Sequence, residues 1–143
     1  GLMCLQVFVN GNKQAYEELK LYAMKLGSAF QKINFLRDLK NDYQLLGRTY
    51  FPNVEMQTFN NAMKAEIEQQ IEIEFKEALI GIKKLPNASK FSVYLAYKYY
   101  LSLFRKIKNT PAEKIINQRV HVHNGKKLSL MMSSYIKYKM AIL

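Results

Sequence analysis

Apolar residues recur at helical spacing over most of this chain. Ile67, Ile71, Phe75, Leu79 and Ile82 follow one another at i, i+4, i+8, i+12 and i+15, with Glu66, Glu68, Glu72, Glu74 and Glu77 mostly off that stripe. The spacing predicts an amphipathic surface helix with a solvated acidic face. Residues 14–45 differ, because Tyr22, Ala23, Leu26, Ala29, Phe30, Ile33, Phe35, Leu36 and Leu39 cover much of the helix circumference. A helix apolar on most sides is expected to be mainly buried. Turn signals fall at Asn10-Gly11-Asn12, at Gly47 to Asn53, at Pro86-Asn87, at Asn109-Thr110-Pro111 and at Asn124-Gly125. The segments between them are rich in Leu, Ala, Lys, Glu, Met and Gln, all good helix formers. They predict helices near 2–9, 14–45, 56–84, 89–108, 111–118 and 127–141, with the alternating run 119–123 extended. The fold class is all-α, without internal repeats or low-complexity tracts.

At 143 residues and 49% hydrophobic content the chain suits one domain and excludes intrinsic disorder. It opens inside an apolar run, Gly1 to Val9, without the basic leader and small-residue cleavage site of a signal peptide. Such a run needs a burial partner. The expectation is that residues 1–143 are one domain piece, the C-terminal part of a longer protein, and that the piece self-associates through the uncovered surface. The single Cys4 excludes a disulfide framework, suits a reducing compartment and is expected to be inert packing. A cytoplasmic location follows as an expectation.

The net charge of +11 is unevenly spread: about +1 over residues 1–85 and +10 over residues 86–143, where Glu113 is the only acid. That asymmetry suits an anionic partner, or balance by acids elsewhere. A basic helical module for nucleic acid or anionic membrane is one reading, with Tyr94, Tyr97, Tyr99, Tyr100, Tyr135 and Tyr138 interleaved among the cations. No nucleic-acid motif accompanies it, and it leaves the 14–45 segment unexplained, so no nucleic-acid partner is expected.

Gln31, Asn34, Asp38 and Asp42 stand at i, i+3, i+7 and i+11 in that segment. At ~100° per residue they form one narrow stripe. Carboxylates in a mostly buried helix are costly unless paired or bound to a cation. All the donors in the row are oxygen or amide, with no Cys or His among them, which selects Mg²⁺, with Mn²⁺ next, over Zn²⁺. Because Mg²⁺ usually shares its sphere with water and substrate phosphate, the row reads as a site for a metal–diphosphate complex. Arg37 sits beside it, where it either reaches a phosphate oxygen or pairs with Asp38 or Asp42 in a structural network.

Gln31-Lys-Ile-Asn34-Phe-Leu-Arg37-Asp38-Leu-Lys-Asn-Asp42, followed by Gly47-Arg48-Thr-Tyr50-Phe51-Pro52, resembles the second aspartate-rich motif, Q-x-x-N-x-x-R-D-x-x-x-D, and the G-R-x-Y-[LF]-P motif of the squalene/phytoene synthase family. Every fixed position is matched, and the GR-x-YFP form resembles the bacterial members more than the eukaryotic squalene synthases. Gly1-Leu2-Met3 is similar to the Val-Gly-Leu-Met stretch that precedes this region in them, and Arg119 to Lys127 to their R-V-x-V-x-x-x-K-K tail. The resemblance implies an isoprenoid-synthase helical bundle, here its C-terminal half. The family's first motif, D-x-x-x-D, does not occur before residue 38, so the isolated piece is expected to be inactive.

The resemblance also implies roles. Asn34, Asp38 and Asp42 are the Mg²⁺ ligands, Gln31 lines the substrate cavity, and Arg37 contacts a diphosphate. Arg48 and Tyr50 close the polar mouth, Lys127 reaches the diphosphate, and Tyr100 is the helix tyrosine of the family, with Tyr97 and Tyr99 competing. The implied reaction couples two prenyl diphosphates head-to-head and releases diphosphate. Greasy substrates suit peripheral membrane contact. C15 against C20 chain length, and reduction by NADPH, depend on residues outside these motifs. Phe30, Phe35 or the Tyr97–Tyr100 group would steady a carbocation. An inactive homologue is the other reading. The His121-x-His123 pair lacks further ligands for a metal site, and the Asn87-Ala88-Ser89 sequon has no secretion signal beside it.

Overall fold

The computed structural model describes residues 1–45, 59–117, 120 and 124–139; the side chains of 40–45, 126–128 and a few others in the last helix fall outside the description. Among the described residues six helices follow in order: α1 Leu2–Phe8, α2 Lys13–Leu45, α3 Asn61–Lys84, α4 Asn87–Lys108, α5 Ala112–Asn117 and α6 Asn124–Lys139. No strand occurs among the described residues, which makes the fold all-α as the periodicity predicts. Most of the extended run expected at 119–123 lies outside them.

Local chemistry sets the boundaries. Asn10 and Gly11 take positive φ (50° and 72°), which Asn and Gly tolerate best, and turn the chain between α1 and α2. The Asn12 side chain then accepts a hydrogen bond from the Ala15 amide at 3.0 Å. Asn60 caps α3 by accepting from the amides of Ala62 (2.9 Å) and Met63 (3.0 Å), so this helix starts at Asn61 and not at 56. The next side chain, Asn61, accepts from the Ala112 amide at 2.9 Å and ties the first turn of α5 to that of α3. Pro86 precedes the first residue of α4, which begins two residues earlier than the sequence pattern predicts.

The long helix α2 is the hub, packing against α1, α3, α4 and α5, while α6 lies on α4. The main core joins Ile33, Leu36 and Leu39 of α2 to Ile71 and Phe75 of α3, Leu103 and Ile107 of α4 and Ile115 of α5. A smaller cluster joins Leu5, Val9, Leu19 and Leu85. Helices α2 and α3 run antiparallel, with Gly81 of α3 against Tyr22 of α2. A Cβ there would stand 2.2 Å from the Tyr22 Cβ, so only glycine fits without moving a helix.

Three expectations need correction. The acidic face of α3 is not simply solvated. Glu74 accepts from Lys32 at 2.7 Å and from Ser28 at 2.8 Å, Glu77 pairs with Lys25 at 3.1 Å, and Glu68 and Glu72 pair with Lys64 and Lys108. With Lys84–Glu18 at 2.7 Å, charge pairs join α2 to α3 at three levels. Alternating charge along two facing helices was invisible to a stripe count on one of them. The burial of α2 is also uneven: it is deep over Ala29 to Leu39, but Leu21 and Met24 are exposed, because nothing described packs on that side. Cys4 is exposed rather than packed, since α1 turns Leu5 and not Cys4 onto α2, and Met3 and Val7 point outward with it.

Candidate functional site

One face of α2 changes character along its length. Leu19, Tyr22, Ala23, Leu26, Gly27 and Phe30 line a cavity of about 370 Å³ between α1, α2, α3 and α4. Ala78, Gly81, Ile82 and Leu85 of α3 form another wall, and Val93 and Ala96 of α4 a third. From Leu19 to Phe30 the helix rises ~16 Å, the length of an extended apolar groove. One turn beyond Phe30 the helix presents Asn34, then Arg37 and Asp38, all half-buried. The face passes from hydrocarbon to oxygen and charge within two turns.

Aromatic rings sit at the junction. Phe30 stacks on Tyr100 of α4, with centroids 3.9 Å apart and planes 16° apart. The Tyr100 hydroxyl donates to the Asn34 side-chain oxygen at 3.3 Å. This separates the three tyrosines weighed from the sequence. Tyr97 belongs to the core, edge-on to Phe75 at 5.0 Å, where burial pushes its phenol above the ordinary value. Tyr99 stands perpendicular to Tyr100 at 5.6 Å. Tyr100 is bonded to Asn34 of the polar row. Among the aromatic candidates on α2, Phe30 borders the cavity, while Phe35 is in the main core.

Arg37 is engaged with its neighbour. Its Nε donates to both Asp38 oxygens, at 3.1 and 3.0 Å, and its terminal nitrogen to Oδ2. These bonds raise the guanidinium pKa; burial opposes them, and the Asp38 charge adds to them. Of the two arrangements open to Arg37, the structure displays the pair with Asp38, and the fork leaves the cation half-buried beside the oxygen row.

The remaining predicted residues divide by placement. Gln31 was expected to line the substrate cavity; it is exposed and does not border the apolar cavity, which Phe30 lines. Asp42 lies on α2, where its backbone continues the Asn34–Asp38 register, and Lys127 lies on α6; both side chains are outside the described residues. Arg48, Tyr50, His121 and His123 are outside them altogether. Among the described residues no cluster of three or more Asp, Glu, His or Cys side chains could hold a metal. Asn34 and Asp38 nevertheless fit the oxygen-rich half of a Mg²⁺ site: they are one turn apart on α2, beyond the Phe30 end of the apolar cavity. No helix among the described residues is long and apolar enough to cross a membrane.

Sequence reading counted Ala23 among the apolar positions but missed Gly27, Ala78, Gly81 and Ala96, the other small residues that line the cavity. Gly27 follows Ala23 at i, i+4, but glycine was not counted in the apolar pattern. The squalene/phytoene synthase family model matches residues 1–126, covering every described element except most of α6. No curated protein and no solved structure matches the chain. A match over that much of the chain, on an all-α frame, means that the chain belongs to the squalene/phytoene synthase family, helical prenyltransferases of isoprenoid biosynthesis.

Proposed function

We propose that this chain serves the head-to-head condensation of two prenyl diphosphates, with release of diphosphate. The observation that carries the reading is the continuous face of α2, apolar along the cavity and polar from Asn34 onward. A prenyl diphosphate has the same order, a hydrocarbon tail ending in an anionic head. The tail would lie along Leu26, Gly27 and Phe30, and the head at Asn34 and Asp38.

The protein's own groups have definable tasks there. The largely apolar cavity walls offer little to hold water, which would quench an allylic cation. The stacked Phe30–Tyr100 pair offers a ring face and edge at the junction, where positive charge would develop. The Tyr100–Asn34 bond holds the phenol in place. Arg37, charged at any working pH, would take up negative charge on the departing diphosphate. Mg²⁺, when bound by Asn34, Asp38 and Asp42, would supply Lewis-acid charge to the diphosphate oxygens. Arg48, Tyr50 and Lys127 are assigned to the diphosphate side on their motifs, and Gln31 to the solvent side of the same end. The location that suits this chemistry is the cytoplasm, with peripheral contact at a membrane that supplies and takes up the hydrocarbon.

Titration calorimetry of the chain with farnesyl and geranylgeranyl diphosphate, with and without Mg²⁺, tests the reading. Binding that needs both the diphosphate and Mg²⁺, and is lost in Asp38→Asn, is the expected result. Binding indifferent to Mg²⁺ would overturn it.

A further inference from the structure

Helix α6 turns large apolar side chains away from the protein. Met131, Met132, Tyr135 and Ile136 are each between 44% and 53% exposed, while Ser134 among them is buried. At ~100° per residue the four cover an arc of ~140°, and Ser134 lies outside it. Tyr135 meets Phe91 of α4 edge-on at 6.2 Å, which seats the helix on α4. A surface helix ordinarily does the reverse, packing its large apolar side chains and showing its serines. Apolar side chains grouped on one exposed face mark an interaction surface.

The charge around that face limits what can cover it. Helix α6 carries Lys126 and Lys127 in its first turn, Lys137 and Lys139 in its last, and no acid. Helix α4 beneath it also has no Asp or Glu, and its Arg105 and Lys106 are exposed. A second copy of the chain would bring its own four lysines against these, which like charges oppose. A nucleic acid would use the cations, but its bases gain by stacking on rings, and of the four exposed residues only Tyr135 has one. An anionic lipid bilayer uses both features. Apolar side chains enter the acyl boundary and lysines at both ends reach the headgroups, as in a helix lying in the plane of a membrane surface. We infer that α6 is the surface by which this chain docks on an anionic bilayer, with Met131, Met132, Tyr135 and Ile136 set between the headgroups. The inference rests on the membrane contact of the proposed function and names the face that makes it. Ile73 and Ile80 of α3 are as exposed, at 50% each, but stand on the helix that carries Glu66, Glu72 and Glu77, which anionic lipid repels.

The test is flotation of the chain with vesicles of phosphatidylcholine, alone and mixed with phosphatidylglycerol, at low and high salt. The chain should bind the anionic vesicles at least about tenfold more tightly than the neutral ones, and lose that advantage in high salt. The double variant Met131→Ser with Ile136→Ser should weaken anionic-vesicle binding at least about tenfold, as two half-exposed apolar side chains lose their burial. Lys137→Gln with Lys139→Gln should weaken it by about the same factor. Both double variants should melt within about 2 °C of the parent chain. Ile73→Ser with Ile80→Ser should bind vesicles as the parent does. The chain has no tryptophan, so Tyr135→Trp gives a single reporter, whose emission should move to the blue on anionic vesicles and not on neutral ones. Equal binding to both vesicles, unchanged affinity in the α6 serine variant, an equal loss in the α3 serine variant, or a reporter indifferent to lipid would each overturn the inference. If the α6 serine variant does not fold, the lysine variant and the reporter still decide. Binding of polyuridylate without binding of vesicles would assign the face to nucleic acid, and an oligomer that the α6 serine variant dissolves, again without vesicle binding, would assign it to a second copy; either result overturns the bilayer. The vesicles hold no prenyl diphosphate, so the two readings fail separately. Vesicle docking through α6 without Mg²⁺-dependent binding of farnesyl diphosphate counts against the condensation reading and leaves the docking face standing. Farnesyl diphosphate binding without vesicle docking sinks the face and leaves the condensation reading standing.

Discussion

Asp38→Asn separates a structural partner from a binding residue, because it keeps the shape and removes the charge. Arg37 forks onto both carboxylate oxygens, at 3.0 and 3.1 Å from Nε, and the two side chains are 22% and 23% exposed. Breaking a fully buried pair costs ~3–5 kcal/mol and breaking an exposed one ~0–1 kcal/mol. A pair about three-quarters buried falls between, at about 1–2 kcal/mol, or a loss of about 3–6 °C in melting temperature for a chain of this size. Repulsion within an unpartnered carboxylate row would have made the same change harmless; the Arg37 fork reverses that expectation. Binding should suffer more. Removing the charge where Mg²⁺ and diphosphate meet should weaken Mg²⁺-dependent diphosphate binding ~10²-fold, about 2.7 kcal/mol. Calorimetry with inorganic diphosphate and a thermal melt on the same sample read both quantities. Arg37→Lys is the companion, because lysine keeps the charge and loses the fork. A melting temperature that falls while Mg²⁺-dependent diphosphate binding stays intact in both variants would refute the binding role and leave only the structural pair.

Two further tests probe the frame around the site. Gly81→Ala should destabilise by about 1–3 kcal/mol through overpacking against Tyr22. Tyr22→Gly should restore most of that loss, whereas Tyr22→Ala should restore less because its Cβ remains at the clash; equal rescue by both would contradict the geometry. Tyr97 has a phenol held above its ordinary value of 10.0 by burial. Its folded form keeps the proton longer than the unfolded chain does, so this contribution is fully present below pH 10.0 and is lost as pH rises through the raised value. Melting temperature in the parent should fall above that pH more steeply than in Tyr97→Phe, and parallel alkaline profiles would show that Tyr97 is not the group concerned.

The all-α class and the order of elements were legible because large apolar residues report helical faces directly. The polar row was legible because Asn34 and Asp38 break an otherwise apolar pattern. The bond from Tyr100 to Asn34 was not, since three tyrosines within four residues cover most of a helix turn and the donor and acceptor are 66 residues apart. The pairing of Glu74 with Lys32 and Ser28 was illegible for a related reason: the acid and its donors are 42 and 46 residues apart, and no local rule links them.

The hydrogen bond from the Ala112 amide to Asn61 bears on folding order. Helix α5 has six residues, far too few to persist alone in water. Its first turn is held by Asn61, and its apolar side by Ile115 in the main core. The short helix therefore cannot form until α3 has its N-terminal end in place, however early the chain between them becomes helical. Amide exchange at Ala112 would then report on the opening of α3, half a hundred residues away, and slow or hasten with it.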